Sequence, residues 1–263
     1  MAIPEYSQFW GDDTIRAFRI AAVHDHSLEP DINRLVELAE PAKQDAALDI
    51  VTGLGHVARA LAPFVAHVDA LDPDEKMLDE SRAIASEEGV RNITFAVGDP
   101  IKLSFKANTF DIVTARMALR HLGDGAACIR EVHRVLKAGG RFLLADSLAP
   151  PHPDLADFLK KLLSHRDRSH VKSYTLAEFE SMLEREGFDI DLIEIYPKEH
   201  DFESWAKKAG ADDDTVRMIA KLIQSESDRI KRHFRVHEED GKLVSFVTWM
   251  ILIRARPART DKS

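Results

Sequence analysis

Apolar residues along this chain follow two rhythms that take turns. Short apolar runs at 46–50, 67–71, 92–97, 110–115 and 141–146 have strand length, while 56–64, 75–88 and 124–137 set apolar side chains at helical spacing. Strands alternating with helices imply parallel strands joined by right-handed crossovers, with ligands beyond the C-terminal strand edge. The chain therefore reads as α/β. Asp31 opens another helical segment, with Ile32, Leu35, Val36, Leu38 and Ala39 on one face. Upstream, Tyr6, Phe9, Trp10, Phe18 and Ile20 stand among polar residues, which suggests a helical arm within 1–40 lying over the domain.

Ala149-Pro150-Pro151-His152-Pro153 is the strongest punctuation. Residues 41–150 form the expected binding core; 151–263 continue the same domain with a helical cap and the last two strands. In that part, 154–166 and 175–186 are helical in pattern, Phe188–Tyr196 is a strand, 201–233 is mostly helical, and Leu243–Ile253 is a long final strand. Ala138-Gly139-Gly140 reads as a helix C-terminus turning into a strand.

The first strand runs straight into Gly53-x-Gly55-x-x-Ala58 and a helix start. A side chain there would block the backbone from approaching a ligand, and the helix N-terminus behind it offers unpaired N–H groups. Asp72 ends the second strand, where a carboxylate can accept from both hydroxyls of a nucleotide ribose. Asp99 ends the third, within Gly98-Asp99-Pro100. Each aspartate alone also suits a helix N-cap or a turn, but together with the glycines they form a constellation. The same fingerprint fits a NAD-dependent oxidoreductase. Against that stand Asp49 inside the first strand and the lack of a second nucleotide-binding half after residue 150.

Taken in order, Leu48–Ala58, Ala70–Leu78, Gly98-Asp99, Phe110–Val113 and Glu131–Phe142 resemble the class I S-adenosylmethionine-dependent methyltransferases, and are similar to the ubiquinone/menaquinone C-methyltransferase group among them. The resemblance implies a Rossmann-like fold: a mostly parallel, seven-stranded sheet with helices on both faces, an antiparallel final strand and a helical cap over the acceptor. It implies S-adenosyl-L-methionine as cofactor and S-adenosyl-L-homocysteine as product. In such enzymes Asp49 and the Gly53-Leu54-Gly55 turn face the methionine part, Asp72 the ribose and Asp99 the adenine amino group. Val51, Pro73, Met77, Pro100 and Arg116 complete the expected cofactor set. Val51 stands where the family usually has Gly or Ala, which narrows the space at the methionine end and keeps open a cofactor-binding protein with lost or altered catalysis. The likeness to the quinone enzymes fades after residue 150, where acceptor specificity should reside.

Methyl transfer from a sulfonium is an in-line displacement, so the protein mainly aligns the acceptor and excludes water. A weakly nucleophilic acceptor needs a base, and His121 and Asp146 are the expected catalytic candidates. His121 equally suits a helix cap or a cofactor contact, and Asp146 a loop-fixing acceptor. Within Arg166-Asp167-Arg168-Ser169-His170, Asp167 and His170 either enter the pocket from the cap or cap the helix that follows.

With a formal charge of −9 and a pI near 5.7, the chain lacks the basic footprint of a nucleic-acid binder. The dense basic stretch Lys231–Arg235 reads as a solvated helix end. A single cysteine, Cys128, gives no disulfide framework, and His24-Asp25-His26 has no third ligand nearby, so no metal is expected. Nothing resembles a secretory leader or a membrane span, and a cytoplasmic protein acting on a small-molecule acceptor, with a homodimer possible, is the resulting expectation.

Overall fold

The computed structural model describes residues 29–208 and 210–258. The parallel strands are β1 (Ala46–Ile50), β2 (His67–Asp72), β3 (Ile93–Val97), β4 (Phe110–Arg116) and β5 (Leu136–Ser147). With β6 (Phe188–Asp201), β7 (His237–Glu239) and β8 (Lys242–Pro257) they make one sheet, ordered β3-β2-β1-β4-β5-β8-β6, with β7 pairing beside β8. β8 runs antiparallel to both β5 and β6, as expected of the final strand. The sheet has eight strands rather than seven, because Asp240 and Gly241, both at positive φ, turn β7 back along β8. An Asp-Gly pair is a hairpin signal of this kind.

Helices on the two sides of the sheet are α1 (Glu29–Ala39), α2 (His56–Leu61), α3 (Glu75–Glu87), α4 (Gly125–Val135) and α6 (Leu176–Arg185). The alternation of strand side chains explains the two layers. Ala47, Val68, Ile112, Leu143 and Leu252 point to α1 and α2, where Leu35, Val57 and Leu61 meet them. Their neighbours Leu48, Val113, Leu144, Ile251 and Ile253 point to the opposite core with Ile129, Val132 and Phe179 of α4 and α6. A third core, built from Leu159, Leu162, Phe202, Trp205, Ile219 and Phe234, belongs to the cap of α5 (Pro153–Arg166), α7 (Phe202–Lys207), α8 (Asp213–Gln224) and α9 (Asp228–His233).

The expected helix over 124–137 ends at Val135, and the Gly139-Gly140 pair lies inside β5. Pairing slips there, from Phe110↔Leu136 to Ile112↔Arg141. A Cβ on Gly140 would meet the Lys137 carbonyl at 2.9 Å, so glycine permits an irregular strand start rather than a helix end. The Lys231–Arg235 stretch does close α9, but Phe234 turns into the cap core. The arm expected over residues 1–25 and His24-Asp25-His26 fall outside the described residues.

Candidate functional site

The C-terminal ends of β1 and β4 lie side by side, and the chain leaves them toward opposite faces of the sheet. That divergence opens a crevice. Beyond β1, Thr52 N–H donates to the Leu71 carbonyl at 3.0 Å and Gly55 N–H to the Thr52 carbonyl at 2.8 Å, closing the turn that starts α2. Gly55 has φ +73, and a Cβ on it would stand 2.2 Å from Ser81 Oγ of α3, so glycine is required there for both conformation and space. Val51 has φ +53, a left-handed conformation that disfavours a β-branched side chain and suits glycine. Met117, just past β4, has φ +55.

Asp72 closes the site from β2. Its carboxylate accepts from Gly53 N–H at 2.8 Å and from Asp74 N–H at 2.9 Å, joining the glycine turn to the start of α3. Burial raises its pKa to about 7 despite those two donors. Asp49, which does not line the cavity, is buried behind the turn and accepts from Thr114 Oγ1 and Thr52 Oγ1, both at 2.6 Å. Burial lifts it to about 6 against these hydrogen bonds. Asp99 and Pro100 follow the C-terminal end of β3 without lining the cavity; Asp99 accepts from Ile101 N–H at 3.0 Å.

After β4, Arg120 and His121 sit in a short turn facing the cap. Arg120 pairs with Asp167 at 3.3 Å and its Nε–H donates to His121 Nε2 at 3.1 Å. His121 Nδ1 is 2.9 Å from Ser169 Oγ, whose hydroxyl donates to Asp167 at 2.6 Å. Burial and the adjacent Arg120 charge depress His121 to about 3, so the ring is neutral with its Nε2 lone pair turned to Arg120. Asp146 does not reach the cavity: it is 1% exposed and accepts from Ser147 N–H at 2.7 Å and Arg120 N–H at 3.3 Å, holding the turn from below.

These elements enclose a cavity of about 490 Å³. Of the expected residues, Val51, Gly53, Leu54, Asp72, Pro73, Met77, Arg116 and His121 line it; Asp49, Gly55, Asp99, Pro100 and Asp146 do not. Asp167 enters from the cap as the sequence allowed, whereas His170 bonds Ser173 Oγ at 3.0 Å behind it. Beyond the expected residues, Leu159, Leu163, Arg166 and Trp205 wall the cap side, joined by Lys198 and His200 of β6 and Met250 of β8. The apolar ones among them have the spacing of ordinary core, and Arg166, Lys198 and His200 resemble any polar residue of a solvated face, so no local signal distinguished them. A second, more open groove between α6 and β6 has an acidic rim of Glu180, Glu184 and Asp189 and lies at the opposite end of β6. Among the described residues no group of His, Cys, Asp or Glu could hold a metal, and no helix is long and apolar enough to cross a membrane.

Residues 48–144 match the family described as a methyltransferase domain. The chain is 33% identical to the uncharacterized methyltransferase YcgJ of Bacillus subtilis over 85% of this chain and 89% of YcgJ. The YcgJ crystal structure superposes with a TM-score of 0.81 at 32% identity, covering 90% of this chain and all of that one. Similarity to the ubiquinone/menaquinone biosynthesis C-methyltransferase UbiE of Ectopseudomonas mendocina, at 34% identity, spans 46% of this chain and 49% of UbiE.

Proposed function

The chain belongs to the methyltransferase family, and we propose that it moves the methyl group of S-adenosyl-L-methionine to a small-molecule acceptor held under the cap. The observation that carries this reading is a single cavity joining the glycine turn and Asp72 at one end to Leu159, Leu163 and Trp205 at the other. The cofactor fits the first end. Asp72 keeps lone pairs for the ribose hydroxyls after accepting from Gly53 and Asp74, Met77 and Pro73 border it, and Gly53 with Leu54 leaves backbone accessible. Asp99 and Pro100 stand at the neighbouring strand end, suited to the adenine. Asp49 acts through Thr52 and Thr114 by fixing the turn rather than by touching ligand.

When bound, the sulfonium supplies an electrophilic methyl group; what the chain adds is alignment and exclusion of water. His121 and Asp146 serve this as positioning residues. The His121 lone pair is spent on Arg120, and Asp146 fixes the backbone that carries both. The arrangement suits an acceptor that is already nucleophilic, or one whose proton leaves to solvent.

Calorimetry with S-adenosylhomocysteine and NAD tests the reading. Micromolar binding of the sulfur cofactor without NAD is expected, and the reverse would sink it. Mass spectrometry of metabolites incubated with labelled S-adenosylmethionine then identifies the acceptor by gain of the labelled methyl.

A further inference from the structure

Arg166 ends α5 with its guanidinium on the cap wall of the cavity and no carboxylate within ion-pairing distance among the described residues. Its Nε–H donates to the Trp205 carbonyl at 2.8 Å, and its Cζ lies 4.6 Å from the centroid of the Trp205 ring. Those contacts orient the fork without neutralising it. Asp167 next in sequence is engaged elsewhere, with Arg120 and with the N–H and hydroxyl of Ser169. On the facing strand, Asp201 caps α7 through Ser204 N–H and Glu199 accepts from Ser245 Oγ. Burial and the charge of Arg120 bring Arg166 down to about 10, against the opposing pull of the Asp167 carboxylate. A half-buried guanidinium with no counter-charge in contact among the described residues is costly, and its planar fork matches the paired oxygens of a carboxylate or phosphate.

We propose that Arg166, braced by Trp205, anchors an anionic group, a carboxylate or a phosphate, on the methyl acceptor. The remainder of the acceptor lies against Leu159, Leu163 and Met250, which share the wall and call for an apolar body. The word acceptor rests on the methyltransferase reading; the anion subsite itself needs no cofactor.

The test titrates the full chain, saturated with S-adenosylhomocysteine, with phenylacetate, phenyl phosphate and the neutral phenylacetamide. At least one acid is expected to bind tenfold or more tightly than the amide, and which one does so identifies the anion. Arg166→Gln should abolish that preference while leaving the affinity for S-adenosylhomocysteine unchanged. Arg166→Lys, which keeps the charge but not the fork, should weaken the acid at least threefold and serves where the glutamine variant does not fold. Equal binding of acid and amide, binding of none of the three, or an acid preference that survives both substitutions would overturn the proposal. If S-adenosylhomocysteine itself does not bind, the methyltransferase reading fails, and the same titrations on the cofactor-free protein still decide the subsite.

Discussion

Val51 and Met117 leave the paired ends of β1 and β4 in the same left-handed backbone conformation, φ +53 and +55, and both line the cavity. A conformation this costly for a β-branched residue, held at the mouth of a site, is one the surrounding structure must enforce. Its consequence is a stability order. At an ordinary strand end Ala is better than Gly, but at position 51 both variants lose the same methyl contacts and only Gly escapes the αL penalty. Val51→Gly should therefore be more stable than Val51→Ala by about 1 kcal/mol in urea unfolding. An alanine variant as stable as the glycine one would argue against the left-handed conformation. Both should bind S-adenosylhomocysteine at least as well as the parent, since each widens the wall.

Asp72 both faces the cavity and ties Gly53 to Asp74. Asp72→Ala is expected to weaken S-adenosylhomocysteine by about 1.5–3 kcal/mol, the scale of hydrogen bonds to a charged acceptor. It should also cost about 1–3 kcal/mol of folding stability, because two backbone donors lose their acceptor. Calorimetry and urea unfolding on one preparation measure both. Weaker binding with unchanged stability would mean that the turn does not depend on this carboxylate.

The raised pKa of Asp72, about 7, gives binding and folding opposite pH dependences. Affinity should fall as the pH drops from about 8 to about 6, because protonation removes the charge and an acceptor site offered to the ribose. For the cofactor-free protein, a carboxyl whose folded pKa exceeds its unfolded 3.8 keeps its proton better in the fold, so stability present in acid is lost as the pH rises through about 7. His121 and His200, depressed to about 3 from 6.5, act in the other sense: the stability they contribute is lost as the pH falls below about 6.5 and is still growing between about 6.5 and about 7.5. Between pH of about 6.5 and about 8, the parent should therefore lose about 1 kcal/mol relative to Asp72→Asn, in which the histidines contribute the same. Parallel pH profiles of the two proteins would assign the titration to another group.

Asp167 is the counter-charge for Arg120 in a pair whose side chains are 6% and 10% exposed. Burial works against its ionisation, but the Arg120 charge and the hydrogen bonds from Ser169 hold its pKa below the usual carboxylate value. Asp167→Ala strands a buried guanidinium and should cost about 3–5 kcal/mol. Asp167→Asn, which still accepts from Ser169, should cost less. Chemical denaturation of the two variants checks the order; a harmless alanine would show that Arg120 finds another partner.

The fold and the glycine-turn half of the cavity were legible in the chain because their determinants are local. Strand and helix periods report which face of each element is buried, and Gly53, Gly55 and Asp72 lie on one strand–turn–helix unit and the strand beside it, so their order in sequence fixes their proximity. The antiparallel β8 followed from the family resemblance. The start of β5 was misjudged because Gly139-Gly140 is as compatible with a helix end as with an irregular strand; the contact with Asp111 of β4 decides.

The other half depends on contacts between segments far apart in the chain. Periodicity identified Leu159, Leu163 and Trp205 as apolar without saying whether they fill a core or wall a cavity. By its place after β4 His121 suited a base, a helix cap or a cofactor contact, and only the approach of Arg120, Ser169 and Asp167 shows its lone pair occupied. Asp146 shares the sheet edge with the site, yet its backbone donors keep it out of the cavity. Sequence by itself determined most of the elements, their order and the glycine turn after β1, though not β7 or the start of β5, because those it did determine follow from nearest-neighbour sterics and side-chain alternation. Tertiary structure decided which polar groups are satisfied and that Arg166 faces the cavity with no ion-pair partner among the described residues, because satisfaction depends on what the rest of the chain brings within hydrogen-bond reach.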